Sequence, residues 1–219
     1  MSAALLYFLP GAGSFAPHVL LEATGMEHEL VRVVRDDDGR PVEPKAYLSL
    51  NPSGRIPTLI WPDGTVQTES AAISLAIAER AGRHDLAPAP DDPERPAFLS
   101  RLVFLTNTVQ VAILRARYPQ RFADGDDARD AVAAHATQEL GGLRERCAAW
   151  YADGPFARGD DPGVDDVFLG MLIRWTRLTA EPWWDDPVLG GFYDRFHALP
   201  AVAAARDHEG FEIRPPAGT

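Results

Sequence analysis

Glu69-Ser70 places an acid and a hydroxyl where Thr68 opens an apolar helical run, a combination that can hold a small charged ligand. The first N–H groups of a helix lack partners and its dipole favours a carboxylate there, while Glu69 can complement an ammonium. Upstream, Asn51-Pro52-Ser53-Gly54-Arg55-Ile56-Pro57-Thr58-Leu59-Ile60 sets an X-Pro bond directly before a strand. Nearer the N-terminus, Tyr7 and Ser14 flank the turn Pro10-Gly11-Ala12-Gly13. A hydroxyl beside the positive end of a helix can donate to an acceptor atom of a ligand held there. Each motif also has a plainer reading. Pro57 can stiffen a turn, Thr68 can cap a helix with Glu69 in its first turn, Ser14 can be an N-cap and Tyr7 can be packed aromatic surface.

Together, in this order, Asn51–Ile60 and Gln67-Thr68-Glu69-Ser70-Ala71-Ala72-Ile73 resemble the glutathione-binding signature of the glutathione transferases. The resemblance implies a cis Pro57, with Arg55 and Pro57 among the glutathione-binding residues. It also implies that the Ile56 N–H and C=O pair with the cysteinyl backbone of glutathione, Glu69 with the γ-glutamyl ammonium and Ser70 with its carboxylate. The segment from Tyr7 to His18 is similar to the start of the bacterial beta-class enzymes, which carry Pro-Gly-Ala-Cys-Ser at this point. Here Gly13 replaces the cysteine, so mixed-disulfide chemistry has no sulfur to use, and the histidine of that class aligns with Ile113. Ser14 is then the expected activating hydroxyl and Tyr7 the second. Asn107, Thr108 and Arg115 are expected in an electrophile pocket. Similarly, Phe156–Val167 is like the family's loop into its central buried helix, with Gly163 at the cap and Asp166 reaching back. The implied activity is conjugation of glutathione to small hydrophobic electrophiles by a homodimer. Alternatives on the same fold are a glutathione-dependent peroxidase or disulfide reductase, and a non-catalytic ligand- or protein-binding protein.

The elements that must position these residues read as two segments. Ala4–Phe8 is a strand-length apolar run, Ser14–Thr24 is helical up to Gly25, and Glu29–Val34 is strand-like. A loop rich in acid, Gly and Pro follows. Thr58–Trp61 and Thr65–Gln67 bracket a Pro62-Asp63-Gly64 hairpin turn, and a helix runs from Thr68 to about Ala81. This is the βαβ–ββα order of an α/β thioredoxin-like domain, assigned to residues 1–84. After a linker over 85–93, residues 94–219 read as an all-α helical domain. Its stripes include Phe98, Leu102, Val103 and Ile113 in one helix and Ala128, Val132, Ala136, Leu140 and Cys147 in another. The helix from Phe98 to Ile113 is expected to offer apolar surface for pairing two chains.

The chain has 21 basic and 32 acidic side chains, a net charge of −11, which disfavours nucleic acid and anionic membrane as partners. No apolar run reads as a membrane span or a signal peptide, so the expected location is the cytoplasm. The one cysteine, Cys147, reads as a core residue. Asp36-Asp37-Asp38 and the other acid pairs fit no calcium loop, and the six histidines show no H-x-x-x-H spacing, so no metal is expected. Gly11-x-Gly13-x-x-Ala16, with Asp36 beyond, formally meets a dinucleotide-binding fingerprint, against which stand Pro10 and the helical second half.

Overall fold

The computed structural model describes residues 3–34, 44–179 and 181–214, which fall into two compact units. The first comprises Met1–Ala87 and Leu199–Phe211. Its strands β1 (Ala4–Phe8), β2 (His28–Arg32), β3 (Thr58–Ile60) and β4 (Val66–Thr68) form one sheet in the order β2-β1-β3-β4. β1 and β2 are parallel, joined by helix α1 (Phe15–Thr24); β3 and β4 pair antiparallel, the expected thioredoxin-like arrangement. Those antiparallel strands also differ from the parallel sheet that a dinucleotide fold requires, and Asp36 lies outside the described residues. Alternation along β1 buries Ala4, Leu6 and Phe8 on one face and leaves Leu5 and Tyr7 half-buried on the other. Gly25, at φ +64°, ends α1 in the left-handed conformation that glycine adopts without a Cβ penalty.

Two helices of this unit escape the pattern reading. Helix α2 (Pro44–Leu50) lies within the segment expected to be loop, because seven residues bounded by prolines give too little periodicity. The chain's last helix, Pro200–Glu209, groups with the first unit, so the expected division at 84 and 94 into two continuous domains needs correction. That helix buries Val202, Ala205 and Glu209 and packs along α1. Helix α3 (Ser70–Arg80) starts later than expected: its N-cap is Glu69, not Thr68.

The second unit, Pro88–Ala198 with Glu212–Thr219, has helices as its regular elements among the described residues. Helices α4 (Arg95–Phe104) and α5 (Gln110–Arg117) are continuous through a π turn over Leu105–Val109. The combined helix is, by length and composition, apolar enough to cross a membrane, contrary to the expectation that no run would be. It buries Phe98, Leu102, Leu105, Val109 and Ile113 inside the unit, while Thr106, Asn107 and Thr108 interrupt the apolar run. Phe98 and Ile113 are therefore unavailable as surface for a partner; Val103, 53% exposed, is the outward member of that stripe. Helix α6 (Asp126–Ala148) buries Ala136, Leu140 and Cys147, whereas Ala128 is exposed and Val132 half-buried. Helices α7 (Val164–Trp175) and α8 (Pro187–Ala198) precede α9 (Pro200–Glu209). Gly170 in α7 is needed because a Cβ there would lie 2.5 Å from the buried Phe196 ring of α8.

At the start of α7, Asp166 accepts from the Gly163 N–H at 2.7 Å, the Ala157 N–H at 3.0 Å and the Tyr151 hydroxyl at 2.8 Å. Glycine supplies no side chain to complete the reciprocal bond, so half of a capping box is present. Burial, and then the neighbouring Asp165, push the Asp166 carboxyl up to about 7 against these hydrogen bonds. An unfolded aspartate titrates near about 3.9. The native state therefore holds more protons between these values, and the group's stabilisation, complete at low pH, is lost as pH rises through about 7. We expect the difference in thermal midpoint between the parent and Asp166→Asn to shrink as pH increases from about 5 to about 8. Scanning calorimetry across that range checks the sign, and a widening difference would refute it.

Candidate functional site

Three separated segments of the first unit meet at the end of β1. The Ser70 hydroxyl, at the start of α3, donates to the Gly13 carbonyl at 2.5 Å. A Cβ built on Gly13 would stand 3.0 Å from the Ile56 carbonyl oxygen and 3.5 Å from Pro57 Cδ. The Gly13 turn, the Ile56-Pro57 loop and the Glu69-Ser70 corner are thus mutual neighbours. Glycine at position 13 also does more than remove a sulfur: it lets the Ile56 carbonyl approach closely, and a cysteine there would force the loop outward by a few tenths of an ångström.

The Ile56-Pro57 peptide bond is cis. Neither the N–H nor the C=O of Ile56 bonds another of the described residues, so this short edge is open to an extended ligand. What holds it was not evident from the motif. Asn51 Nδ2 donates to the Arg55 carbonyl at 2.8 Å and to Thr58 Oγ1 at 3.1 Å. Tyr47, from α2, adds its hydroxyl to the Arg55 carbonyl and lies 2.8 Å from Thr58 Oγ1. Arg55 thus anchors the loop through its carbonyl while its side chain stays exposed.

Glu69 is the one non-glycine residue with positive φ among the described residues, at φ +69° and ψ +109°. Its side chain makes no capping bond to α3 and is exposed. A strained backbone combined with an uncommitted carboxylate marks a position held for something other than folding.

The two activating hydroxyls fare differently. Ser14 is fully buried; its hydroxyl donates to the Leu9 carbonyl at 3.1 Å and accepts from the Leu9 N–H at 3.2 Å. It closes the turn upon itself, makes no capping bond to α1, and its single hydrogen is already committed. The expectation that Ser14 donates to a thiol is at odds with this geometry. Tyr7 is half-buried, opposite Thr58 in the β1–β3 register, with its ring 5.5 Å from that of Tyr47. Its hydroxyl bonds none of the described residues. The N–H groups of Gly13 and Ser14 likewise find no acceptor among the described residues, leaving donors at the positive end of α1.

Asn107, Thr108 and Arg115 all lie in the second unit. Asn107 and Thr108 occupy the π turn, exposed and half-buried respectively, a feature often found at functional positions. Arg115 is committed to Glu139 of α6 at 2.6 Å. Cys147 is fully buried, and burial pushes its thiol up to about 12, which suits a core residue and not a nucleophile. Trp183 is buried and Trp184 stacks against Tyr193, both serving packing within this unit.

A second cluster has no local signature in the sequence, because its members come from different elements. His18 is fully buried on α1, with Nδ1 2.9 Å from Glu209 Oε1 of α9; Glu209 Oε2 accepts the Gly11 N–H at 2.8 Å. Glu22, one turn beyond His18, faces His28 of β2 and His208 of α9.

Residues 14–80 match the family model for the glutathione S-transferase N-terminal domain. The chain is 35% identical over 217 residues to glutathione S-transferase GstA of Escherichia coli O157:H7, covering 94% of this chain and 99% of that one. Among solved structures it is similar to a glutathione transferase homolog from Sulfitobacter with bound glutathione. That match has a TM-score of 0.85 and 25% identity, covering 96% of this chain and 100% of the other. A beta-class enzyme from Sphingomonas chungbukensis gives a TM-score of 0.78 at 29% identity, covering 94% and 98%. With its thioredoxin-like sheet, cis Pro57 and convergent Gly13, Ile56 and Ser70 segments, the chain belongs to the glutathione S-transferase family.

Proposed function

We propose that this protein binds glutathione at the Gly13, Ile56 and Glu69-Ser70 junction and activates its thiol for attack on small hydrophobic electrophiles. The observation that carries the reading is the N–H and C=O of Ile56 beside the N–H groups of Gly13 and Ser14, none of which bonds another of the described residues. An extended cysteinyl residue bonded to the former would bring its sulfur towards the latter. Ser70, whose hydroxyl now bonds Gly13, and the exposed Glu69 supply the anion- and ammonium-binding ends. Asn107 and Thr108 are proposed for the electrophile side; Arg115, tied to Glu139, is given a scaffolding part instead.

A free thiol of pKa about 8.5 needs about 1.4 kcal/mol of preferential thiolate stabilisation for each unit of depression. The geometry supports the helix N–H groups and the Tyr7 hydroxyl as the sources, with Ser14 shaping the turn. Pairing of two chains belongs to the same proposal. Calorimetric titration with glutathione and with other low-molecular-weight thiols tests it. Saturable binding of glutathione is expected, and binding of another thiol with none of glutathione would overturn the assignment.

A further inference from the structure

Glu22 lies among three histidines from three elements of the first unit, a cluster that the thiol chemistry does not use. Glu22 Oε1 lies 3.7 Å from His18 Nε2, 3.7 Å from His28 Nε2 and 3.1 Å from His208 Nδ1. The ligand atoms of His18, Glu22 and His28 are all within 4.8 Å of one another. His18 and Glu22 share a face of α1 through their i, i+4 spacing, β2 brings His28, and α9 brings His208.

The other ring nitrogens fix how these rings present themselves. His18 Nδ1 faces Glu209 Oε1 at 2.9 Å, and His28 Nδ1 faces the Met26 carbonyl at 2.8 Å. Carboxylate and carbonyl oxygens accept, so both Nδ1 atoms carry the hydrogen and both Nε2 atoms turn towards Glu22. Histidines that ligate metals show this arrangement, the second nitrogen donating to a carboxylate or a backbone carbonyl. His18 Nε2 is buried and has no hydrogen-bond partner. Its 3.7 Å distance to Glu22 is too long for an N–H···O bond. It is close to the separation, about 3.4 Å, of two ligands each about 2.0–2.1 Å from one tetrahedral zinc ion.

We propose that His18, Glu22 and His28 bind a divalent transition-metal ion of the zinc type, with His208 as the fourth ligand at the solvent edge. Imidazole with a single carboxylate selects such an ion over magnesium or calcium. The ion fastens α9 to α1 and β2. Through His18 and Glu209, which holds the Gly11 N–H, it also braces the turn at the end of β1.

The test is titration of the chelator-treated full chain with Zn²⁺, followed by calorimetry and by thermal midpoint, together with the visible spectrum of Co²⁺ in its place. One ion per chain, a raised midpoint and an intense tetrahedral Co²⁺ spectrum are expected, with no binding of Mg²⁺. Glu22→Gln and His28→Ala should each weaken Zn²⁺ at least about tenfold, and Glu209→Gln about 10- to 100-fold through the orientation of His18. His135→Ala, on the exposed surface of α6, should leave binding unchanged. Absence of stoichiometric Zn²⁺ binding in the parent, or equal binding by both Glu22→Gln and His28→Ala, would overturn the site.

Discussion

Glu69→Gln is expected to weaken glutathione binding by roughly 10- to 150-fold, corresponding to loss of a charged hydrogen bond of about 1.5–3 kcal/mol. Glutamine keeps the length of the side chain and one acceptor but not the charge that an ammonium requires. In the free protein the Glu69 carboxylate is exposed and takes no part in capping α3, so its removal should cost the fold little. Glu69→Gly makes the complementary test. At φ +69° the glutamate backbone is strained by about 1–3 kcal/mol, which glycine largely relieves. This variant should therefore bind glutathione as poorly as Glu69→Gln, yet unfold at the same temperature as the parent or higher. Calorimetric binding and thermal unfolding on the three proteins separate the two effects. Undiminished affinity in Glu69→Gln would show that the ligand's amino end lies elsewhere.

How far such a site can be read from sequence depends on where its information is stored. Ile56-Pro57 and Glu69-Ser70 are legible because each is a short local pattern tied to a strand or helix start. The strained backbone of Glu69 is less so: only the fold reveals that α3 begins at Ser70 and forces positive φ on its predecessor. Tyr47 and Asn51, which hold the Arg55 carbonyl, were obscured because α2 is too short to show a period. The Glu22 cluster was obscured for a different reason. Its spacing is local only between His18 and Glu22, while His28 and His208 arrive through tertiary packing, the latter on a helix that pattern alone assigns to the other domain. The same limit applies to Ser14. Its position at a helix start suggests a cap with a spare donor, but the turn back to Leu9 uses the donor and the acceptor together.

That turn leads to the second large effect, a separation of folding from thiol activation. Ser14→Ala should destabilise the protein by about 1–3 kcal/mol, because the Leu9 N–H loses its partner in a part-buried turn and the Leu9 C=O keeps only the Ala12 N–H. The pKa of bound glutathione should stay near the parent value, since the Ser14 hydrogen points to Leu9 and not outward. Tyr7→Phe should behave in the opposite way. No described residue uses the Tyr7 hydroxyl, so the fold loses little, whereas withdrawal of a charge-assisted bond of about 1.5–3 kcal/mol should raise the bound thiol by about 1–2 pKa units. Turnover near neutral pH should fall in parallel, roughly tenfold or more, because the rate follows the thiolate fraction. Thiolate absorbance against pH in the parent and both variants, with denaturation curves alongside, makes the comparison. A raised thiol pKa in Ser14→Ala alone would return the role to Ser14 and require the Leu9 turn to open on binding. If the parent's depression survives both substitutions, the Gly13 and Ser14 N–H groups at the positive end of α1 supply it unaided.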